Sequence, residues 1–173
     1  MSQTYYIDGY NLIHHSPELA QLMRRHFEIA RDKLIEEIIR WASASGQHAK
    51  LIFDGQGKRT EASQNHPNTQ NVEILFSSKN KTADMIIERA VFQSKKRDDI
   101  IVVSADRGIT DLCMSKGALV MHPNGFWTTL NEASAETSRS IKHTQTTKMG
   151  SLEDTLDDKT LSHLEQLRKN LEK

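Results

Sequence analysis

The 173 residues carry 23 Lys plus Arg against 23 Asp plus Glu, and this formal neutrality excludes a protein that coats nucleic acid through a large positive excess. The single cysteine, Cys113, excludes an internal disulfide framework and an all-cysteine zinc site, and it fits a reducing compartment. No apolar run approaches the ~20 residues of a membrane span, and an apolar segment that opens by Tyr5 leaves no room for a signal peptide, so a soluble cytoplasmic protein is expected.

In chain order, Thr4–Ile7 is a short apolar run of the kind found in strands buried on both faces of a parallel sheet. From Pro17 to about Ser45, Leu19, Met23, Phe27, Ala30, Leu34, Ile38 and Trp41 recur at helical steps, which predicts one long helix stopped by Gly46. Ala49–Phe53 and Val72–Phe76 read as strands, and residues 55–71 between them lack periodicity and form a long loop. A helix capped by Thr82 buries Ala83, Ile86, Ile87, Ala90 and Val91. Ile100–Ser104 is a fourth strand, Gly108–Ser115 a short helix closed by Gly117, and Ala118–Met121 a fifth strand. Cys113 fills core space in that short helix, and Phe126 with Trp127 suggests a local hydrophobic plug. Residues 134–156 form a linker rich in serine and threonine. From about Asp157, Leu161, Leu164, Leu167 and Leu171 restore a helical stripe that would dock on the domain. The expectation is an α/β domain over 1–133, with a mostly parallel central sheet between two helix layers, followed by the linker and a helix over 157–173.

The acids fall in a pattern. Asp8 follows the first strand, Asp54 the second, and Asp106 lies two residues beyond the fourth. In an open parallel sheet this carboxyl edge is where ligands bind. Asp84 sits in the first turn of its helix, Glu88 stands one turn further on, and Asp111 is five residues past Asp106. Each acid alone is well explained as a cap or turn former, Asp54 before Gly55 especially. Independent caps have no reason to gather at one edge, however, and gathered carboxylates repel unless a cation joins them. Oxygen ligands favour Mg²⁺ or Mn²⁺ over zinc, and such ions suit phosphodiester hydrolysis. Competing phosphate machinery is missing: the chain has no GxxxxGK[ST] loop, no GxGxxG fingerprint and no GxSxG elbow. A receiver-like phosphoacceptor would need a lysine after the fifth strand, where this chain has His122-Pro123.

The stretch Tyr6-Ile-Asp-Gly-Tyr-Asn-Leu-Ile13, then Pro17-Glu-Leu19 and Phe27–Glu36, resembles the YacP-like branch of the NYN ribonucleases, within the PIN-like nuclease superfamily. Ile52-Phe-Asp54, Thr82–Glu88 and Val102–Asp106 match later motifs in order, and the Leu161–Lys169 segment resembles the family's ending. The resemblance implies a three-layer α/β/α PIN-like fold and a Mg²⁺- or Mn²⁺-dependent endoribonuclease. Its substrate would be RNA, and for some relatives mRNA at the ribosome. It makes Asp8, Asp84 and Asp106 the metal ligands and catalytic core. Asn11 would hold the Asp8 loop or a metal-bound water, and Glu88, Asp111 and Asp54 would be auxiliary acids. The chain departs from the family in having Phe53-Asp-Gly55 in place of FDA, and Ser104-Ala-Asp106 in place of TSD. Lys58, Arg59, Lys79, Lys81 and Arg107 flank the acidic crevice and would grip RNA phosphates, and Tyr10 would stack an unpaired base. A monomer, no membrane partner, and an alternative role as an RNA- or ribosome-binding module without turnover complete the expectations.

Overall fold

The computed structural model describes residues 3–55, 71–77, 81–136 and 139. The chain divides into two compact units, Met1–Ser134 and Ala135–Lys173, and almost all of the second lies outside the described residues. The predicted 55–71 loop, apart from its two ends, also lies outside them, as does the predicted terminal helix.

Five short apolar runs become strands: β1 (Thr4–Asp8), β2 (His48–Phe53), β3 (Val72–Phe76), β4 (Ile100–Val103) and β5 (Leu119–Met121). They pair in parallel in the order β3-β2-β1-β4-β5. The connection order reverses between β1 and β4, so the carboxyl ends of these two strands frame the crevice where such sheets hold ligands.

Both sheet faces are covered, as unbroken apolar strands require. On one face Tyr5, Ile7, Leu51, Phe53, Ile101 and Val103 pack with Leu34, Ile38 and Trp41. On the other, Ile52, Val102 and Ile100 pack with Ala83, Ile87, Val91, Ile109 and Cys113. Because side chains alternate along a strand, Asp8, Asp54 and Ser104 continue the parity of Tyr6, Ile52 and Val102, and therefore point to the second face.

The helices are α1 (Gly9–His14), α2 (Pro17–Arg25), α3 (Phe27–Ser45), α4 (Ala83–Gln93), α5 (Arg107–Ser115) and α6 (123–136). The single helix expected from Pro17 to Ser45 is instead two, broken at His26, whose backbone (φ −144°, ψ 78°) is not helical. The break lets α2 fold back on α3, joining Glu18 to Lys33 at 2.9 Å and bringing Leu19, Leu22 and Met23 to the same core as Leu34. Neither Gly nor Pro marks this break. It is set by packing that a straight helix could not make. The α3 stop at Gly46 does follow the sequence, with the left-handed backbone (φ 68°) that glycine adopts without strain. The helix α6 was not expected. Its Phe126 and Leu130 are fully buried, with the Phe126 ring 5.6 Å from Tyr5 and 5.1 Å from Trp41. The plug expected at this point is thus one face of a helix.

Gly9 allows α1 to begin directly at the end of β1. A Cβ there would lie 2.3 Å from the ring of Phe53, which is itself fully buried. Gly9→Ala is expected to destabilise the protein by about 1–3 kcal/mol through overpacking, read as a lower urea midpoint. An unchanged midpoint would show that the Phe53 ring yields freely.

Candidate active site

Four acids meet at the carboxyl edge, each placed by a different local device. Asp8 ends β1 and caps α1, its Oδ1 accepting from the Asn11 amide at 3.0 Å. Asp106 caps α5, its Oδ1 accepting from the Gly108 amide at 2.7 Å. Asp54 follows β2, and its Oδ1 accepts from the Ala83 amide at 2.6 Å and from the Ser77 hydroxyl at 3.1 Å. That contact holds the first turn of α4, and so Asp84, against the end of the sheet. Thr82 completes the α4 cap as expected, its Oγ1 accepting from the Met85 amide.

Further hydrogen bonds brace these turns. The Asn11 side-chain oxygen accepts from the Ala105 amide at 3.0 Å, which joins the Asp8 turn to the Asp106 turn. The Ser104 hydroxyl accepts from the Asp106 amide at 3.1 Å, while Ser77 accepts from the Gly55 amide as it donates to Asp54. Ser77 and Ser104 were not singled out from the sequence. The signal was present, since each is the polar residue directly following a strand, as Asp8 nearly is.

The acids act on one another. Burial pushes the Asp8 carboxyl up to about 6, helped by the charges of Asp84 and Asp54 and opposed by amide hydrogen bonds from Asn11 and Tyr10. Asp84 is likewise raised, first by burial and then by Asp106 and Asp54. The charged groups that move these two carboxyls are all carboxylates. Among the described residues, no three His, Cys, Asp or Glu side chains approach closely enough to form a ready-made ion cage. The donor set is therefore all oxygen, mutually repulsive and loosely gathered.

The remaining expected residues fall into groups. Glu88 is half-buried one turn beyond Asp84, and both acids face Cys113, whose thiol is raised to about 11 mainly by burial and then by these two charges. Cys113 is buried as expected of a core filler, and at that value it is no nucleophile at neutral pH. Asp111 is exposed on α5 and is not among the groups that act on Asp8 or Asp84. Lys81 is exposed just before the Thr82 cap of α4, and Arg107 is exposed at the first residue of α5. Lys58, Arg59 and Lys79 lie outside the described residues. The Tyr10 ring is half-buried against Phe53 (5.1 Å) and Phe27 (5.4 Å), with its hydroxyl hydrogen-bonded to Arg31, so much of its surface goes to protein contacts. Trp127 donates its indole N–H to the Leu12 carbonyl at 3.0 Å, as befits a structural ring.

Asp54 has a structural task whatever else it does. Asp54→Ala would leave the Ala83 amide and the Ser77 hydroxyl without this acceptor, and a stability loss of about 1–2 kcal/mol is expected, as for a lost helix cap. Asp54→Asn, which keeps the acceptor oxygen, should recover most of it. Equal melting of the two variants would remove this role.

Comparison with known proteins gives one consistent answer. The signature of the YacP-like NYN domain matches residues 5–169. Over 85 residues the chain is 39% identical to a protein of Bacillus subtilis named "Uncharacterized protein YacP", and that match spans about half of each chain (48% of both). The chain is similar in fold to the crystal structure of Rae1 (YacP) from Bacillus subtilis, with a TM-score of 0.71 at 24% identity over 98% of this chain and 95% of that one. A mutant of the same protein matches with a TM-score of 0.68 at 25% identity, over 83% of each chain.

Proposed function

The chain belongs to the YacP-like NYN domain family, and from that premise we propose that it is a Mg²⁺- or Mn²⁺-dependent endoribonuclease that hydrolyses RNA, mRNA on the ribosome included. The observation that carries this reading is the gathering of Asp8, Asp54, Asp84 and Asp106 at the carboxyl edge of the sheet, where Asp84 and Asp54 raise the Asp8 carboxyl and Asp106 and Asp54 raise that of Asp84. Asp8, Asp84 and Asp106 are the residues to hold the ion. When bound, the ion supplies positive charge to the phosphate oxygens and acidifies a water.

The chain's own residues have distinct parts. Asp8 must be deprotonated to serve as a ligand, so its elevated value ties ligation to a pH above about 6. Asp54 sets the position of Asp84 through the Ala83 amide, and Asn11 fixes the distance between the Asp8 and Asp106 turns. Glu88 adds negative charge one turn below. Lys81 and Arg107 flank the acids and suit phosphates on either side of the scissile bond.

The test is incubation of purified protein with RNA and Mg²⁺ or Mn²⁺, with and without ribosomes, beside a chelator control and the Asp84→Asn variant. A second reading, an RNA- or ribosome-binding module without turnover, draws on the lack of a tight three-acid cage among the described residues. It predicts binding that survives both chelation and Asp8→Asn, with no cleavage in any condition.

A further inference from the structure

We infer that the α2–α3 corner, with Arg24, Arg25 and Phe27 at its tip, is an RNA-strand platform that extends the acid crevice along one side. The inference rests on the ribonuclease reading and adds to it a surface for nucleotides beyond the cleaved bond.

Topology puts this corner at the acid edge. After α3 the chain enters β2 at His48, which pairs with Thr4 at the amino end of β1. The carboxyl end of α3 is therefore at the amino edge of the sheet, and its beginning, Phe27, is at the edge that carries Asp8. The ring contacts agree, since Phe27 lies 5.4 Å from Tyr10, and Tyr10 is two residues from Asp8 and packs on Phe53. Because α2 folds back on α3, its last turn, with Arg24 and Arg25, ends at the same corner.

The chemistry of the corner is that of a single-strand binder. Phe27 is 47% exposed although one face of its ring meets Tyr10. This open ring stands at the same corner as the two exposed guanidinium groups of Arg24 and Arg25. Guanidinium groups hold phosphates and an open aromatic face stacks a base of any identity. Glu28 is the exposed acid at this corner and leaves the pair of arginines in excess. The corner also answers a charge problem. The crevice itself is acidic and repels an RNA backbone, so an RNA chain reaching it needs cations alongside. A single strand is the occupant that matches this combination of charge and open ring. A folded protein partner is the other outcome to be tested.

The experiment measures binding of fluorescent oligouridylates, one short and one long, to the Asp84→Asn protein in Mg²⁺ over a salt series. The same protein carrying Arg24→Glu and Arg25→Glu is compared with it. The double change is expected to weaken the long RNA at least about tenfold and to reduce the salt slope by about 1.4, the value for two single-strand phosphates. The short RNA, which fills only the crevice, should change less than about twofold. Phe27→Leu keeps an apolar contact on Tyr10 but removes the flat ring, and should weaken the long RNA several-fold with no change in salt slope. Circular dichroism melts of each variant confirm folding. Long-RNA affinity and slope that do not respond to the arginine changes overturn the platform, as does equal weakening of short and long RNA. Loss of ribosome co-sedimentation with RNA affinity intact assigns the corner to a folded partner and overturns it too. If the parent protein binds no RNA at all, the ribonuclease reading fails together with the platform.

Discussion

Replacing Asp84 with asparagine is expected to lower RNA cleavage at least about a hundredfold, the scale for removing one placed group from a charge-stabilising site, while the protein stays folded. The helix that carries Asp84 is capped by Thr82 and anchored by Asp54 through the Ala83 amide, and neither bond involves the Asp84 side chain. Losing a first-turn acid forfeits about 0.3–1 kcal/mol of favourable interaction with the helix dipole. Against this, the change relieves repulsion from Asp106 and Asp54, the charges that raise the Asp84 carboxyl. The two effects oppose each other, so the melting temperature should move little. Time courses of RNA cleavage in Mn²⁺, alongside thermal melts, separate activity from stability. Identical fragment patterns from wild type and variant in every condition would sink the hydrolytic reading.

Without added metal, the protein is expected to lose stability as pH rises from about 4 to about 6, and to level off above that. The sign follows from Asp8, whose carboxyl is held at about 6 in the fold against an ordinary value of 3.8. Across that window the folded chain keeps a proton that the unfolded chain has released, so folding is favoured at the acid end and the advantage fades as pH climbs. The full span is on the order of 3 kcal/mol, and Asp84 works in the same direction. Asp8→Asn should flatten the profile and make the metal-free protein more stable than wild type at neutral pH. Asparagine still offers an oxygen to the Asn11 amide and is as good a helix cap as aspartate. Mn²⁺ should reverse the wild-type trend, because it takes up the deprotonated carboxylates and stabilises more as pH rises. The asparagine variant should gain little. Thermal midpoints over pH, with and without Mn²⁺, test both halves, and a flat wild-type curve would count against a buried, crowded Asp8.

The strands were legible in the residues because each is a short apolar run, and a central one such as Ile100–Val103, buried throughout, has no other use in a chain this polar. The acids at the strand ends were legible for the same reason: Asp8, Asp54 and Asp106 interrupt apolar sequence just where a parallel sheet exposes its carboxyl edge. The helix caps at Thr82 and Gly46 are local chemistry and followed from single residues. The long-range choices were not legible. His26 breaks a helix without any breaker residue, because the gain lies in α2 packing against α3. The helix over 123–136 contains Gly125, Thr128 and Thr129, poor helix formers that yield to burial of Phe126 and Leu130. Asp54 looked like a turn former, and only the folded chain makes it the anchor of a helix that starts 29 residues later. Sequence alone thus determined the strand runs, their order along the chain and the identity of the acids, since these depend on neighbours along the chain. Tertiary structure decided which acids feel one another and which corner stands beside them, because those facts depend on contacts between residues distant in sequence.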